Sequence, residues 1–401
     1  MPVIVTAADR ASFRRCRRRW DFGSGMRQDL EPVHRRAVPD LGRAVRDALA
    51  VYYFPGMWDW DRGVRLPLVG QELERAVTRQ RQSSGDDADD GAWQETLDQG
   101  KALLARYIDW APKADPFAPV LVETDFEVNV LDPAQADAAL VTGSGEPIRY
   151  TGRIDMMAVD EHDAYWIVRH RVVGADWLPT EQLVADEESL TACWAWEQFY
   201  LGMAITGTID NELQLPSGQA AAPVSDPSPR ARRRRPWRWL PSRTAATPPE
   251  VRQHEPSGGG RSIPQHRRMY AQASRPGRVE PIEQLTEDGF RRTWLRRTPG
   301  EVAEAGRRLG QDVAEMARGD LDVYPEPSDD KCPSCPFLDP CRTMRAGGDE
   351  QPVLRTDYRK RAPQSPEEGR LGGRAWGMGR GAAPPKFRSR QHGKNGVQGG
   401  S

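Results

Sequence analysis

Four of the five cysteines in this chain of 401 residues have a spacing that suits metal ligands. Cys332, Cys335 and Cys341 form a C-x2-C-x5-C group, and Cys16 lies far upstream in a run of arginines. Zinc ribbons usually combine two CxxC pairs, so one distant cysteine plus a tight trio favours an iron-sulfur cluster, with zinc as the alternative. Unrelated thiols or a pair of disulfides would also account for the count.

The N-terminal residues lack the basic region and apolar stretch of an export signal. No window approaches the roughly 20 apolar residues that a membrane span needs. The sequence therefore predicts a cytoplasmic protein without a membrane partner. Thiols in a reducing compartment stay available as metal ligands.

Composition divides the chain into parts. Hydrophobic residues make up 38%, which is low for a chain that is ordered throughout. Two stretches rich in Pro, Gly and Arg account for the shortfall, one in the middle and one at the end. The predicted organisation is an N-terminal helical region (1–112), a core (113–215), a disordered insertion or linker (216–262), a C-terminal helical region with the cysteine trio (263–345) and a disordered tail (346–401).

Hydrophobic periodicity predicts helices and strands in an order typical of an α/β core with helical flanks. A capping box at Thr6–Asp9 predicts a first helix that carries Cys16. The other predicted helices cover 41–53, 93–110, 183–205 and 301–318. The predicted strands cover 120–130, 149–159, 164–172 and 207–215.

Basic residues are clustered although the net charge is only −1. One cluster contains Arg291 and Arg292, and Trp294 lies near it. Arginine supplies planar donors for phosphates and tryptophan supplies a stacking surface, a combination typical of single-stranded nucleic-acid binding. A solvated charge run is the plainer interpretation of any one cluster.

The segment Thr151–Asp155 (TGRID), followed by a turn and the strand Tyr165–Arg171 (YWIVRHR), resembles the central hairpin of the PD-(D/E)XK nuclease superfamily. The similarity is to the RecB-like branch. That branch includes AddB-type and CRISPR-adaptation nucleases, whose 4Fe-4S cluster is held by one N-terminal cysteine and a C-terminal C-x2-C-x5-C. The resemblance implies a restriction-endonuclease-like mixed sheet flanked by helices, with the four cysteines joining the N- and C-terminal segments.

The residues that would do chemistry depart from this family. The resemblance implies that an active member binds Mg²⁺ or Mn²⁺ through the hairpin Asp, the D/E-x-K carboxylate and a helix His. Here only Asp155 remains, while Arg169, Arg171 and Arg46 occupy the other positions. The Q-x-x-x-Y motif expected on the next helix is also missing, with Ser189 and Cys193 nearest to it. Cys193 itself is predicted to be a buried core residue.

Residues 169 and 171 face the same side of a strand, so both guanidiniums are expected to pair with Asp155 and repel a divalent cation. We expect a remnant nuclease centre in which Arg46, Arg169, Arg171, Arg291 and Arg292 bind DNA, at ends or on single strands, without cutting it. A protein partner within a larger assembly is compatible with this expectation.

Two alternatives stay open. One is an active nuclease whose missing carboxylate comes from Glu123 or from residues 186–188. The other is a scaffold that binds a protein and no nucleic acid. Metal bound beside Asp155 would favour the first alternative, and a neutral or acidic groove would favour the second.

Overall fold

The computed structural model describes residues 3–33, 38–57, 60–83, 90–215, 283–287 and 289–361. Its helices are α1 (Ala7–Arg15), α2 (Arg17–Gly23), α3 (Leu41–Tyr52), α4 (Arg62–Gln82), α5 (Asp90–Ala114), α6 (Thr180–Val184), α7 (Glu187–Phe199), α8 (Pro299–Met316), α9 (Leu338–Arg345) and α10 (Gln351–Asp357). Its strands are β1 (Val3–Thr6), β2 (Leu30–Pro32), β3 (Phe117–Asn129), β4 (Leu131–Asp132), β5 (Gln135–Ala139), β6 (Ile148–Asp160), β7 (Tyr165–Val173), β8 (Ile205–Gln214), β9 (Glu283–Glu287), β10 (Phe290–Arg296) and β11 (Tyr358–Lys360).

Seven strands form one mixed sheet. β6 pairs with β3 along one edge, and its other edge is shared by β1, which is parallel, and β7, which is antiparallel. β7 and β8 are parallel, and β10 and β9 continue the sheet in antiparallel fashion. A parallel neighbour requires a crossover, which α6 and α7 supply. The predicted mixed α/β class is confirmed.

Two apolar layers cover the sheet. One layer packs α3, α4 and α5 against one face, with Leu49, Leu104 and Met156 among its members. The other packs α1, α7 and α8 against the opposite face, with Trp194 and Leu309 among its members. Because α3 and α5 share a core with the sheet strands, residues before 113 belong to the same compact unit as the strands.

Most predicted elements are present. The capping box is confirmed, because Thr6 accepts from the Asp9 amide and Asp9 accepts from the Thr6 amide. The single helix expected over 183–205 is instead two helices. Asp186 accepts the amides of Glu188 and Ser189, which caps a new helix, and the chain turns at Gly202, where φ is +89°.

The predicted tail contains regular structure in its first part. α10 and β11 lie within 346–361, and β11 pairs with β2 near the start of the chain. The tail prediction is therefore corrected for these residues, whose apolar side chains Leu354 and Tyr358 are buried against Phe22 and Phe337. The predicted insertion at 216–262 and the tail beyond 361 lie outside the described residues.

The N- and C-terminal parts of the described chain are joined by ordinary contacts. The Arg10 guanidinium binds Asp312, and Arg17 binds Glu315. The Arg18 amide donates to the Tyr324 carbonyl. Within the described ranges, no helix is both long enough and apolar enough to cross a membrane.

Candidate functional site

The candidate site lies where β6 and β7 diverge. Their ladder ends at the pair Met156 and Val168, and β1 takes over the same edge of β6 at Thr151. Asp155 lies in the interval between these two ladders. Its Oδ2 accepts the backbone N–H of His170 at 2.8 Å. The carboxylate thus satisfies a main-chain donor that the divergence of the strands would otherwise leave without a partner.

At this same point the side chains of β3 and β6 change from one face of the sheet to the other. Val122 and Met156 pack with α3 and α5, whereas Phe126 and Ile154 pack with α1, α7 and α8. Glu123 lies at the exchange, in the left-handed region with φ of +42°. Such a conformation is uncommon for a residue with a side chain, and Glu123 lies between the pairs Val122–Met156 and Thr124–Ile154, at the level of Asp155.

Glu123 and Asp155 form a coupled pair of carboxyl groups. Burial and, after it, the neighbouring Asp155 raise the pKa of Glu123 to about 7, against the opposing effects of Arg153 and Arg46. The Arg153 guanidinium lies 3.3 Å from the Glu123 carboxylate. Two carboxyl groups so placed disfavour double ionisation, so Glu123 holds a proton over part of the range below neutral pH.

Arg169 and Arg171 pair with α7 rather than with Asp155. Nη1 of Arg169 lies 2.9 Å from the Asp186 carboxylate and donates to Ser189 Oγ at 2.7 Å. Nη2 of Arg171 binds the same carboxylate, and its Nε lies 3.1 Å from Asp210. The predicted pairing of both arginines with Asp155 is corrected, because the α7 N-cap carboxylate lies between the two guanidiniums.

This arrangement leaves few residues that could supply the second metal-binding carboxylate of an active nuclease. Burial alone would raise the pKa of Asp186, but the two guanidiniums hold it below its usual value. Glu187 is held by Arg10, Arg14 and Arg308, and Glu188 pairs with Arg169. Among the relocated candidates, Glu123 is the one that lies beside Asp155.

The remaining predicted binding arginines divide into one near the site and two in the interior. Arg46 on α3 is half-buried and close enough to influence Glu123 and His170. Arg291 is buried and binds Glu212, and Arg292 is buried and binds Asp115. Arg291 and Arg292 are therefore interior ion-pair partners in this conformation, not surface groups.

Asp210 and Glu212 belong to the site but were not predicted. Both lie on β8 and are fully buried, and both contact an arginine of a neighbouring strand. In the sequence they flank Asn211, so three consecutive polar residues interrupt the apolar residues Ile209 and Leu213 of the strand. The crossover over this face makes them interior, and the unusual sequence signal was two acidic residues in a central strand.

Cys16 and Cys332 influence the Cys335 thiol, but within the described residues the four candidate ligand cysteines do not form one cluster. Cys16 lies in an extended break between α1 and α2, and its Sγ accepts the Glu326 amide at 3.4 Å. Burial raises the pKa of the Cys335 thiol, and Cys16 and Cys332 raise it further. Cys341 is on α9 and half-buried.

The cysteine region fits a metal centre only in part. Backbone donors to sulfur, as at Cys16 and at Cys332, where the Ser328 amide lies 3.4 Å away, suit thiolates. Yet within the ranges that the structure describes, no three His, Cys, Asp or Glu side chains are grouped closely enough to hold a metal ion. Cys193 is fully buried on α7 and its pKa is raised to about 12 by burial, which confirms the prediction of a core thiol.

Comparison with known proteins identifies no family for this chain. No protein-family model and no curated protein matches the chain. A solved structure titled "Crystal structure of SSO0001" is 14% identical, over 45% of this chain and 65% of that one, with a TM-score of 0.19. The chain thus spans slightly less than two thirds of that protein, and a likeness of this size defines no shared fold.

Proposed function

We propose that this chain is a RecB-like PD-(D/E)XK-fold protein that binds DNA, at ends or on single strands, without cutting it. The observation that carries the proposal is the clamp of Arg169 and Arg171 on Asp186. In the family that the sequence resembles, these two positions hold the metal-binding carboxylate and the lysine. Here they hold two permanent cations, together with a carboxylate that both cations already engage.

Electrostatics explains why this clamp disfavours cleavage. A guanidinium about 4 Å from a divalent ion costs roughly 4 kcal/mol per unit charge at an effective dielectric near 20. An arginine also has too high a pKa to take a proton from water. Arg171 is a quarter exposed, and its planar group is suited to a phosphate oxygen that would compete with Asp186.

An active, metal-dependent nuclease is the second candidate function. The coupling of Glu123 to Asp155 favours it, because Mg²⁺ is usually bound through one or two carboxylates together with substrate phosphates. A protein-binding scaffold is the outcome that remains if DNA does not bind.

The experiment combines binding and cleavage on single- and double-stranded DNA, with EDTA, Mg²⁺ or Mn²⁺. We expect binding that weakens steeply with salt and no cleavage. Arg171→Ala should reduce the slope of log affinity against log salt by about 0.7 to 0.9. Arg318→Ala is the matched control, because that exposed arginine pairs with Asp320 two residues away. Metal-dependent cleavage that Asp155→Ala abolishes and Asp125→Ala preserves would establish the nuclease instead.

We also propose that Cys16, Cys332, Cys335 and Cys341 hold a 4Fe-4S cluster, with zinc as the alternative. The backbone amide donors to Cys16 and Cys332, and the influence of both thiols on Cys335, support this proposal. A bound cluster would tie the N-terminal helices to the C-terminal segment. Anaerobic purification should give a protein with iron-sulfur absorption that Cys332→Ala removes, together with a lower melting temperature, and that Cys193→Ala retains. Zinc without iron in the purified protein would select the alternative.

A further inference from the structure

The connection between β7 and α7, residues 174–186, crosses one face of the sheet and is called the strap here. It is attached mainly by polar contacts. Arg297 donates to the carbonyls of Leu183 and Val184 at 2.9 and 2.7 Å. Arg291 donates to the Leu178 carbonyl. Leu183 is the strap's one fully buried apolar side chain among the described residues.

The face below the strap contains polar atoms without partners. In the described part of the chain, Thr208 Oγ1, Asp210 Oδ2, Thr293 Oγ1 and Arg297 Nε are buried and make no hydrogen bond. Asp210 and Thr293 lie directly opposite each other on β8 and β10. Folded proteins contain few such atoms, and four of them on or beside one face of β8 and β10 indicate that the closed arrangement leaves binding capacity unused.

Charge on this face exceeds what its own carboxylates neutralise. Four guanidiniums approach it, those of Arg169, Arg171, Arg291 and Arg297, whereas β8 supplies two carboxylates, Asp210 and Glu212. The strap contributes the compensation, through Asp186 and through its main-chain carbonyls. Glu188 of α7 stays paired with Arg169, so removing the strap would leave an excess of one positive charge beside two threonine hydroxyls, which is the chemistry that binds phosphate.

We propose that the strap is a displaceable cover over a second, larger part of the DNA-binding surface, and this inference rests on the proposed function. When the strap is displaced, backbone phosphates replace Asp186 and the strap carbonyls as partners of Arg171, Arg291 and Arg297. The hydroxyls of Thr208 and Thr293 donate to the same phosphates. In the closed state the strap competes with DNA, so apparent affinity is reduced by the fraction of molecules that are open.

The experiment loosens the strap without altering the covered face. Leu183→Ala removes its buried anchor, and Pro179→Gly adds backbone freedom at an exposed position. Gln182→Ala is the control, since that side chain is exposed next to the anchor. Hydrogen exchange followed by mass spectrometry reports strap opening, and fluorescence anisotropy with a labelled single-stranded oligonucleotide reports affinity.

We expect exchange across 174–186 to accelerate about tenfold in both variants and Kd to fall by a similar factor, because both follow the open fraction. The control should change neither quantity. Faster exchange with unchanged Kd would overturn the cover while leaving DNA binding in place. Exchange that stays slow in both variants would show that the strap is a fixed part of the fold. If neither the unmodified protein nor any variant binds DNA, the proposed function fails and the cover fails with it.

Discussion

Arg291 and Arg292 are consecutive residues of β10, yet their surroundings differ in one decisive respect. Arg292 faces α3 and α5, where each of its nitrogens has a partner. Its Nη2 donates to Tyr53 and Tyr107 at 3.0 Å, its Nη1 contacts Asp115, and Trp110 lies against its guanidinium. We call the hydrogen-bonded set of this face the satisfied layer; its members are Arg292, Tyr53, Tyr107, Asp115, Asn211 and His170.

Arg291 faces the strap instead. Its layer contains the buried atoms of Thr208, Asp210, Thr293 and Arg297 that make no hydrogen bond. Both layers are buried, ionic and spread over the same strands. A complete network fixes one arrangement of the core, whereas an incomplete one leaves interactions that a ligand can still make. The comparison therefore separates arginines that hold the fold together from arginines that remain available for function.

The largest effect is expected from breaking the satisfied layer. Arg292→Met should lower the free energy of unfolding by about 3 to 5 kcal/mol, because it leaves the fully buried Asp115 without its cation. Urea denaturation measures the change. Arg296→Met, at an exposed position on the same strand, should cost less than about 0.5 kcal/mol. A small loss at Arg292 would mean that the satisfied layer is not structural.

An intermediate effect is expected at Glu123, where the two faces exchange. Its pKa in the folded protein is raised to about 7, so the stability it contributes is full below its unfolded pKa near 4.5 and is lost as pH rises through 7. Glu123→Gln, which mimics the protonated form, should remove this dependence. It should be more stable than the unmodified protein by about 1 to 3 kcal/mol at pH 8, and nearly equal to it at pH 4.5.

The control for that titration is Glu127→Gln, on the same strand but paired with the exposed Arg149. Its thermal melting should show no comparable gain at pH 8. Equal stability of Glu123→Gln and the unmodified protein across this range would remove Glu123 from the coupled pair.

The smallest effect is expected from removing buried hydroxyls, and its sign should depend on whether the hydroxyl has a hydrogen-bond partner. Joint Thr208→Val and Thr293→Val substitution keeps shape and removes two buried hydroxyls without partners, so stability should rise by about 1 kcal/mol. Tyr53→Phe should instead reduce it by about 1 to 2 kcal/mol, since it takes an acceptor from Arg292. Destabilisation by the threonine pair would indicate that bound water already satisfies these hydroxyls.

Helices and strands with a regular hydrophobic pattern were predictable from the sequence. The stripe of apolar residues on α3 and the alternation on β3, β6 and β7 each determine which face is buried. α4 was not predicted because its apolar pattern is weak and Pro67 interrupts its first turns. β10 was hidden because three of its seven residues are arginines, and an isolated sequence window cannot show that Asp115 and Glu212 will neutralise two of them.

The sequence predicted several residues of the site, but it did not predict which of them pair with each other. The positions of Asp155, Arg169 and Arg171 on adjacent strands followed from the hairpin. The partner of the two arginines did not follow, because Asp186 reaches them through a cap that divides one predicted helix into two. Glu123 was named beside residues 186–188 as a possible carboxylate of the site, but the sequence could not choose between them, since the position of Glu123 depends on a left-handed backbone residue within a strand.

The pairing of β2 with β11 has a consequence for the order in which the chain is made. Phe22 of α2 is covered by Phe337, Leu354 and Tyr358, and the Arg359 guanidinium reaches Glu31 across a separation of 328 residues. A ribosome adds about 5 to 20 residues per second, so these N-terminal apolar groups wait tens of seconds for their cover. During that interval the nascent chain presents a hydrophobic surface that the finished protein conceals, and chaperone demand should be greatest just before the last described strand emerges.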